Sequence, residues 1–273
     1  MKRKIISKIS SFLNTHCSDD SKEMILSFWI KEFQQRNNHL MKKHLLPLRN
    51  KYSGKRAFIL GNGPSLKNTD VRLLKNEITI ACNGIFFLFE ETGFSPTFYT
   101  VEDNLIAEQW ADTINNLRGT IKIFPYDLRS VLKQDENTLY INFLRLYPFF
   151  PQFSTDFDDH VFWGGTVSYL NIQLAYYLGI SEVYLIGFDN NYVIPQKDIK
   201  TEKGILSQSL DNNHFNPNYF GPGHRYNAPN FELMDLMYNK VQSFCDKTGW
   251  RVYNATAGGK FDVFERCDYN SLF

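Results

Sequence analysis

Residues 57–65 read Ala-Phe-Ile-Leu-Gly-Asn-Gly-Pro-Ser. Four consecutive apolar residues that end at a glycine are typical of a strand buried on both faces of a parallel sheet. Pro64 suits the first turn of a helix, where its missing N–H is not needed. The stretch therefore predicts a strand, a tight turn and the start of a helix, which is the repeating unit of an α/β fold.

The same pattern recurs along the rest of the chain. Apolar runs at 78–82, 98–101 and 183–186 each end in small or polar residues, and helices are predicted over 165–178 and 231–248. Further strands are predicted at 121–124, 139–141 and 251–254. This alternation predicts an α/β, Rossmann-like fold with a mainly parallel sheet and helices on both faces.

The front of the chain differs in charge from the body. Residues 1–56 carry 13 Lys and Arg against 4 Asp and Glu, in a chain whose net charge is only +1. We predict a basic helical N-terminal segment at 1–53, followed by the main domain at 54–273. Through residues 1–45 this appendage would contact the body, a second subunit or an anionic membrane surface. The polar stretch 190–230 predicts a lid loop.

Composition limits the class of protein. Of the 273 residues, 43% are hydrophobic and 16% aromatic, which is enough for a sizeable core. The four cysteines lack zinc-ligand spacing, which predicts a reducing compartment and no metal site. No run reaches the ~18 apolar residues that a membrane span needs. We expect a cytoplasmic protein, at most peripheral on the inner face of the membrane, with no nucleic-acid partner.

The turn after the first strand is a candidate site for a phosphate. It consists of Gly61, Asn62, Gly63, Pro64 and Ser65. Glycines permit positive φ and let an anion approach the backbone, and the start of a helix offers free N–H groups. The turn is neither a Walker A loop nor a complete dinucleotide fingerprint. An ordinary strand-to-helix turn is therefore the alternative.

Polar residues also follow the other predicted strands. Amides and carboxylates there suit ribose, base edges or substrate hydroxyls, and the carboxylates also suit a divalent cation. These residues are Asn83, Glu102, Asp103, Asn104 and Asp189. A solvated loop is the alternative for residues 102–104. Gly165 and Thr166 precede a predicted helix, and form either a second anion-accepting N-terminus or a plain N-cap.

Two histidines of the predicted lid, His214 and His224, are candidates for a proton acceptor, because histidine exchanges protons near neutral pH. A histidine in a polar loop is otherwise simply solvated. Neighbouring side chains suit hydrogen bonds to a departing phosphate. They are Tyr192, Tyr219, Arg225 and Tyr226.

Several of these motifs together resemble known families. Gly61–Leu66, Cys82–Asn83 and Leu178–Asp189 resemble the bacterial sialyltransferases of glycosyltransferase family 42. The chain is still more similar to the MptE-like family, which includes the flagellin-glycosylation proteins called motility accessory factors. That second resemblance continues through His214–Phe220 and Tyr253–Gly259.

The resemblance implies a sialyltransferase-like glycosyltransferase of lipopolysaccharide, capsule or flagellin biosynthesis. Its partners would be a nucleotide-sugar donor, CMP-activated, and a glycan whose hydroxyl attacks by direct displacement. Asn62 and Asn83 would face the nucleotide. Asp189 would bind or support it, and Tyr192 would touch the leaving phosphate. No cofactor would be required, because CMP carries only one phosphate to neutralise.

The resemblance also implies a histidine base. The family 42 pattern places it in a Gly-His pair, which fits His224, whereas His214 lies in a segment typical of the MptE-like group. We favour His214 and retain both. The chain departs from family 42 in one place, because it has no basic residue at Phe162–Gly164, where that family has an arginine.

Two other functions stay open. Archaeal MptE-like members are 6-hydroxymethylpterin diphosphokinases that use ATP and Mg²⁺, for which Glu102, Asp103 and Asp189 would be the candidate metal ligands. The third interpretation is a non-catalytic nucleotide-sugar-binding protein, in which the histidines are dispensable.

Overall fold

The computed structural model describes residues 15–18, 21, 38–145 and 152–273. Most of the predicted basic helical segment at 1–53 lies outside these ranges. No helix in the described part of the chain is both long and apolar enough to cross a membrane.

The strands are numbered here in chain order. They are β1 Arg56–Leu60, β2 Ile78–Cys82, β3 Phe98–Thr100, β4 Ile121–Pro125, β5 Thr138–Ile141, β6 Phe143–Leu144, β7 Val161–Phe162, β8 Glu182–Ile186, β9 Ile199–Thr201, β10 Gly204–Leu206, β11 Arg225–Tyr226, β12 Arg251–Asn254 and β13 Glu265–Arg266. The α-helices are α1 Asn38–Leu45, α2 Phe89–Thr92, α3 Asn104–Gln109, α4 Ala111–Asn115, α5 Val167–Tyr177 and α6 Phe231–Thr248.

Within the described residues, eight strands form one sheet in the order β13-β12-β8-β1-β2-β3-β4-β5. Every neighbouring pair in this sheet is parallel. The predicted mainly parallel α/β sheet is therefore confirmed. Two small sheets accompany it: β6 pairs with β7, and β9, β10 and β11 form an antiparallel sheet.

Both faces of the large sheet are covered. In β1, Ala57 and Ile59 belong to one buried cluster, whereas Phe58 and Leu60 belong to another. Successive side chains of a strand point to opposite faces, so the two clusters are the two layers of core. The first cluster also contains Leu45, at the end of α1. The end of the predicted N-terminal segment therefore packs in the core beside the sheet.

The order of the strands reverses between β1 and β8. From β1 the chain moves outward through β2, β3, β4 and β5, and then returns to place β8 against the other side of β1. The connections that leave β1 and β8 therefore diverge. In open α/β sheets such a switch point creates a crevice outside the carboxyl ends of the strands, where ligands bind.

The local structure differs from the prediction in two places. The segment after the turn at 61–65 is a 3-10 helix of five residues, Pro64–Asn68, rather than a full α-helix. The stretch 190–230 carries β9, β10 and β11 rather than loop alone. By contrast, the helix at 231–248 and the strand at 251–254 have the predicted limits.

An ion pair between buried Lys122 and half-buried Asp135 provides a test of this packing. Lys122 on β4 is fully buried, and its Nζ contacts the carboxylate of Asp135. Asp135→Asn removes the countercharge, and we expect it to lower the free energy of unfolding by about 3–5 kcal/mol, because a buried charge then stands unpaired. Adding Lys122→Met should restore most of that loss. Urea denaturation measures both, and equal stability of the single and double variants would contradict the assignment.

Candidate active site

A cleft of about 250 Å³ opens at the switch point of the sheet. Its floor is made by the turns that follow β1, β2 and β8, and one wall by the N-terminus of α5. The rest of the lining is polar at Asn212, Asn213, His214 and Tyr219, and it forms an apolar wall at Phe188, Phe231, Met234, Tyr238 and Phe261. Three of the polar strand ends that the sequence predicted to meet, those of β1, β2 and β8, therefore converge on one crevice, whereas that of β3 does not.

Gly61 and Gly63 allow the turns after β1 and β8 to touch. A Cβ on Gly61 would lie 2.4 Å from the carbonyl oxygen of Gly187, and one on Gly63 would lie 1.9 Å from Oδ2 of Asp189. Gly63 has a φ of −66°, whereas Gly187 has a φ of +73°. The two glycines of the first turn are thus required by close contact, and the positive φ belongs to the second turn.

Most amides of the first turn are already bonded within the protein. The N–H of Gly61 donates to Ile186 O at 2.8 Å, and that of Gly63 donates to Gly187 O at 2.9 Å. The N–H and Oγ of Ser65 both donate to the Asp189 carboxylate, the hydroxyl at 2.7 Å. The carboxylate therefore occupies the start of the short 3-10 helix, where the sequence predicted a phosphate. Asp189 lines the cleft and supports the turn.

Asn62 and Asn83 present unused acceptors at the floor of the cleft. Nδ2 of Asn62 donates to Cys82 O at 3.1 Å, which fixes the orientation of its amide. The Oδ1 atoms of Asn62 and Asn83 are buried and have no hydrogen-bond partner among the described residues. A buried acceptor without a partner costs about 1–3 kcal/mol. The hydroxyl or amino groups of a ligand would satisfy these two oxygens.

The N-terminus of α5 also reaches the cleft. Thr166 is its N-cap and accepts a hydrogen bond from the N–H of Ser168 at 3.3 Å. Thr166, Val167 and Ser168 line the cleft, whereas Gly165 does not. The helix is 11 residues long, and the positive end of its dipole lies at the cleft.

His214 is held in the cleft by a buried carboxylate. Its Nδ1 lies 2.7 Å from Oδ2 of Asp211, whose side chain is 3% exposed. The same carboxylate accepts the N–H groups of Asn213 and Phe220. An ionised carboxylate only accepts hydrogen bonds, so Nδ1 of His214 carries the proton and donates it to Asp211. Nε2 is then the basic nitrogen.

Two tyrosines complete this side of the cleft. The ring of Tyr219 stacks on the imidazole of His214, with centroids 3.9 Å apart and planes inclined by 3°. The ring of Tyr192 lies edge-on to the imidazole at 5.9 Å. Burial raises the pKa of both phenols above the usual value. Both therefore keep their protons and remain hydrogen-bond donors.

His224 and Arg225 lie outside the cleft. The ring of His224 stacks on Trp110 with centroids 5.1 Å apart, and its Nδ1 contacts Gly221 O at 3.1 Å. The side chain of Gln109 bonds both the carbonyl oxygen and the N–H of Arg225, the latter at 2.5 Å. These contacts attach the small antiparallel sheet to the body of the protein.

The acidic trio does not line the cleft either. Asp103 is the N-cap of α3, and its Oδ2 accepts a hydrogen bond from Asn227 Nδ2 at 2.9 Å. Asn104 is the exposed first residue of that helix. Glu102 is 6% exposed and pairs with Arg145 at 3.0 Å, while Trp163 Nε1 donates to its other oxygen at 3.2 Å.

The three carboxylates that the sequence offered as metal ligands do not form a site for a metal ion. Glu102, Asp103 and Asp189 each have separate protein partners, and no group of three or more His, Cys, Asp or Glu side chains suited to a metal occurs in the described residues. A Mg²⁺ ion that bridges phosphates is normally held by protein oxygens gathered at one place. The three predicted ligands are not gathered in this way.

Sequence reasoning missed Asp211 and the apolar wall. Asp211 precedes His214 by three residues, a spacing that allows a short loop to bring the two side chains together. The Asp-x-x-His spacing could therefore have predicted this pair from the sequence. The apolar wall had no comparable signal, because Phe231 and Phe261 come from opposite ends of the last helix–strand unit.

Burial raises the pKa of Glu102 to about 7, although the guanidinium of Arg145 opposes the shift. The folded protein therefore retains a proton that the unfolded chain has lost above about pH 4.5. Between pH 4.5 and 7 this group should lower the free energy of unfolding as pH rises, by at most about 1.4 kcal/mol per pH unit. The slope should be absent from Glu102→Gln, as measured by urea denaturation at several pH values. If stability varied with pH in the same way in wild type and in Glu102→Gln, the pKa shift of Glu102 would be refuted. Glu136→Gln, at an exposed site, is the control for the loss of one charge.

Comparison with known proteins supplies the family. A family described as 6-hydroxymethylpterin diphosphokinase MptE-like matches residues 31–194. No curated protein matches. Among solved structures, the MAf glycosyltransferase from Magnetospirillum magneticum AMB-1 is similar, with a TM-score of 0.51 and 17% identity over 86% of this chain. The likeness spans 39% of that larger chain, and at this identity it shows a shared fold. The family match extends over more than half of the sequence, so the chain belongs to the MptE-like family.

Proposed function

We propose that this protein is a glycosyltransferase of surface-glycan biosynthesis, which transfers a sugar from a CMP-activated donor to a glycan hydroxyl. The observation that carries the proposal is the Asp211–His214 pair inside a cleft at the switch point of the sheet. The fold shared with the MAf glycosyltransferase supports the reaction class.

His214 is the proposed general base. Its Nδ1–H is bound to Asp211, so Nε2 accepts the proton of the acceptor hydroxyl. Asp211 also stabilises the imidazolium that forms, since its charge lies 2.7 Å from Nδ1. Among the described residues no carboxylate contacts His224, which stacks on Trp110 outside the cleft, and this favours His214 between the two candidates.

The proposed reaction is a direct displacement. The acceptor oxygen, losing its proton to His214, forms a bond to the anomeric carbon, while the bond from that carbon to the phosphate oxygen breaks. Its electron pair leaves with the phosphate of CMP. The Tyr192 hydroxyl, which keeps its proton, and the N-terminus of α5 stabilise this developing charge.

The charge of the cleft favours a donor with one phosphate. Within the described part of the chain no Lys or Arg lines the cleft, and the carboxylate of Asp189 is present. A nucleoside diphosphate or triphosphate brings more negative charge, which proteins usually meet with cations or Mg²⁺. A single phosphodiester needs less compensation. This reasoning supports a CMP-activated donor above UDP- or GDP-sugars.

The family description makes a diphosphokinase the second candidate. That reaction moves a diphosphoryl group from ATP and depends on Mg²⁺ between the phosphates. Glu102, Asp103 and Asp189 are bound by different partners and do not form a common site for the ion. We therefore place this function behind glycosyl transfer.

The base is tested by His214→Ala, with His224→Ala as the matched control. We expect His214→Ala to lower the rate of CMP release from CMP-activated sugars about 10²- to 10⁴-fold, the usual contribution of a general base. Affinity for CMP should stay nearly constant, and Asp211→Asn should also slow the reaction. Full activity of His214→Ala, or an equal loss in His224→Ala, would exclude this assignment.

The nucleotide is tested by thermal shift with CMP, UDP, GDP and ATP, each with and without Mg²⁺. A ligand that binds only the folded state raises the melting temperature. At 100 times its Kd it adds about 2.7 kcal/mol to the free energy of unfolding. We expect CMP to stabilise the protein most, without a metal requirement. Stabilisation by ATP alone, and only with Mg²⁺, would favour the diphosphokinase instead.

A further inference from the structure

The cleft has a deficit of positive charge for the anion that we propose it binds. Asp189 lines it, and Asp211 lies behind His214. Of the residues that the structure describes, no lysine or arginine lines the cleft. The α5 N-terminus supplies only partial charge, equivalent to roughly half a unit. A full positive charge close to the cleft would balance a bound phosphate.

The loop after β12 brings one lysine to the edge of the cleft. The N–H of Lys260 donates to the carbonyl oxygen of Asp189 at 2.7 Å. Its neighbour Phe261 lines the cleft, as does Asp189. Lys260 is therefore attached by its backbone to one lining residue and is adjacent in sequence to another.

Two glycines make this approach possible. Gly258 and Gly259 have φ values of +82° and +77°, a conformation that other residues rarely adopt. A Cβ on Gly259 would lie 2.9 Å from both Cα and the carbonyl oxygen of Asp189. The backbone of the loop thus packs directly on the turn that follows β8, and Lys260 is placed there by the fold.

The loop is also fixed from behind. The guanidinium of Arg266 donates to the carbonyl oxygens of Gly258 at 2.8 Å and of Phe261 at 3.2 Å. Nδ2 of Asn254 donates to Phe261 O at 2.5 Å. A loop with this many backbone contacts holds the backbone of Lys260 in one place beside the turn that follows β8.

We propose that Lys260 is a binding residue for the phosphate of the nucleotide donor. Its side chain is exposed, and no ion pair to it occurs in the part of the chain that the structure describes. A lysine ammonium is a compact point charge on a flexible stem, which suits contact with a phosphate oxygen. The inference rests on the proposed function, because it assumes a nucleotide in this cleft.

The test compares CMP with cytidine, which lacks the phosphate. We expect Lys260→Ala to weaken CMP binding about tenfold, the effect of one charged hydrogen bond, and to leave cytidine binding unchanged. Lys260→Arg should restore most of the affinity. Lys200→Ala is the matched control, since Lys200 is an exposed lysine on the small antiparallel sheet. Calorimetry gives the dissociation constants, and melting curves show that each variant is folded.

The outcomes separate the two proposals. Wild type that binds CMP, with Lys260→Ala equal to it, overturns the role of Lys260 and leaves the proposed function standing. An equal loss of CMP and cytidine binding in Lys260→Ala also overturns that role, because the lysine would then act on the shape of the cleft. Wild type that binds neither CMP nor cytidine contradicts the proposed function, and the role of Lys260 with it.

Discussion

The contact between the turns that follow β1 and β8 is the constraint on which the cleft depends. Gly61 and Gly187 come so close that a Cβ on the first would lie 2.4 Å from the carbonyl oxygen of the second. Only glycine permits two backbones to meet at this distance. The contact closes the floor of the crevice and brings the Asp189 carboxylate to the Ser65 N–H and hydroxyl. The place where the strand order reverses is thereby also a place where two loops are bonded to each other through backbone and side chains.

Asn62 links this rigid contact to the side of the cleft that carries His214. Its side-chain amide donates a hydrogen bond to the end of β2. Its backbone carbonyl oxygen accepts the N–H of Phe215 at 2.9 Å. Phe215 directly follows His214, whose ring is bonded to Asp211 and stacked on Tyr219. The proposed base is therefore positioned by the same turn that forms the floor. A residue predicted to touch a nucleotide also holds the histidine loop in place.

The fold was largely predictable from the sequence, whereas the site was predictable only in part. Apolar runs such as 78–82 are continuous because parallel strands are buried on both faces, so their limits can be read directly. The histidines could not be separated in this way, because the difference between His214 and His224 lies in their contacts with Asp211 and Trp110. The amides of the turn at 61–65 looked free for the same reason. Their partners, Gly187 and Asp189, are more than 100 residues away in the chain.

Membership of the MptE-like family does not by itself choose between glycosyl and diphosphoryl transfer, because one fold hosts several chemistries. The choice depends on the charge that each leaving group develops. A diphosphoryl transfer concentrates several negative charges and needs metal ligands at one point, whereas glycosyl transfer from CMP develops charge on a single phosphate. The negative charge on a single phosphate can be stabilised by a tyrosine hydroxyl that keeps its proton and by one helix N-terminus. The carboxylates of this protein are used instead to cap α3, to pair with Arg145 and to orient His214. Because these carboxylates have separate structural partners, the proposal of glycosyl transfer is favoured over diphosphoryl transfer.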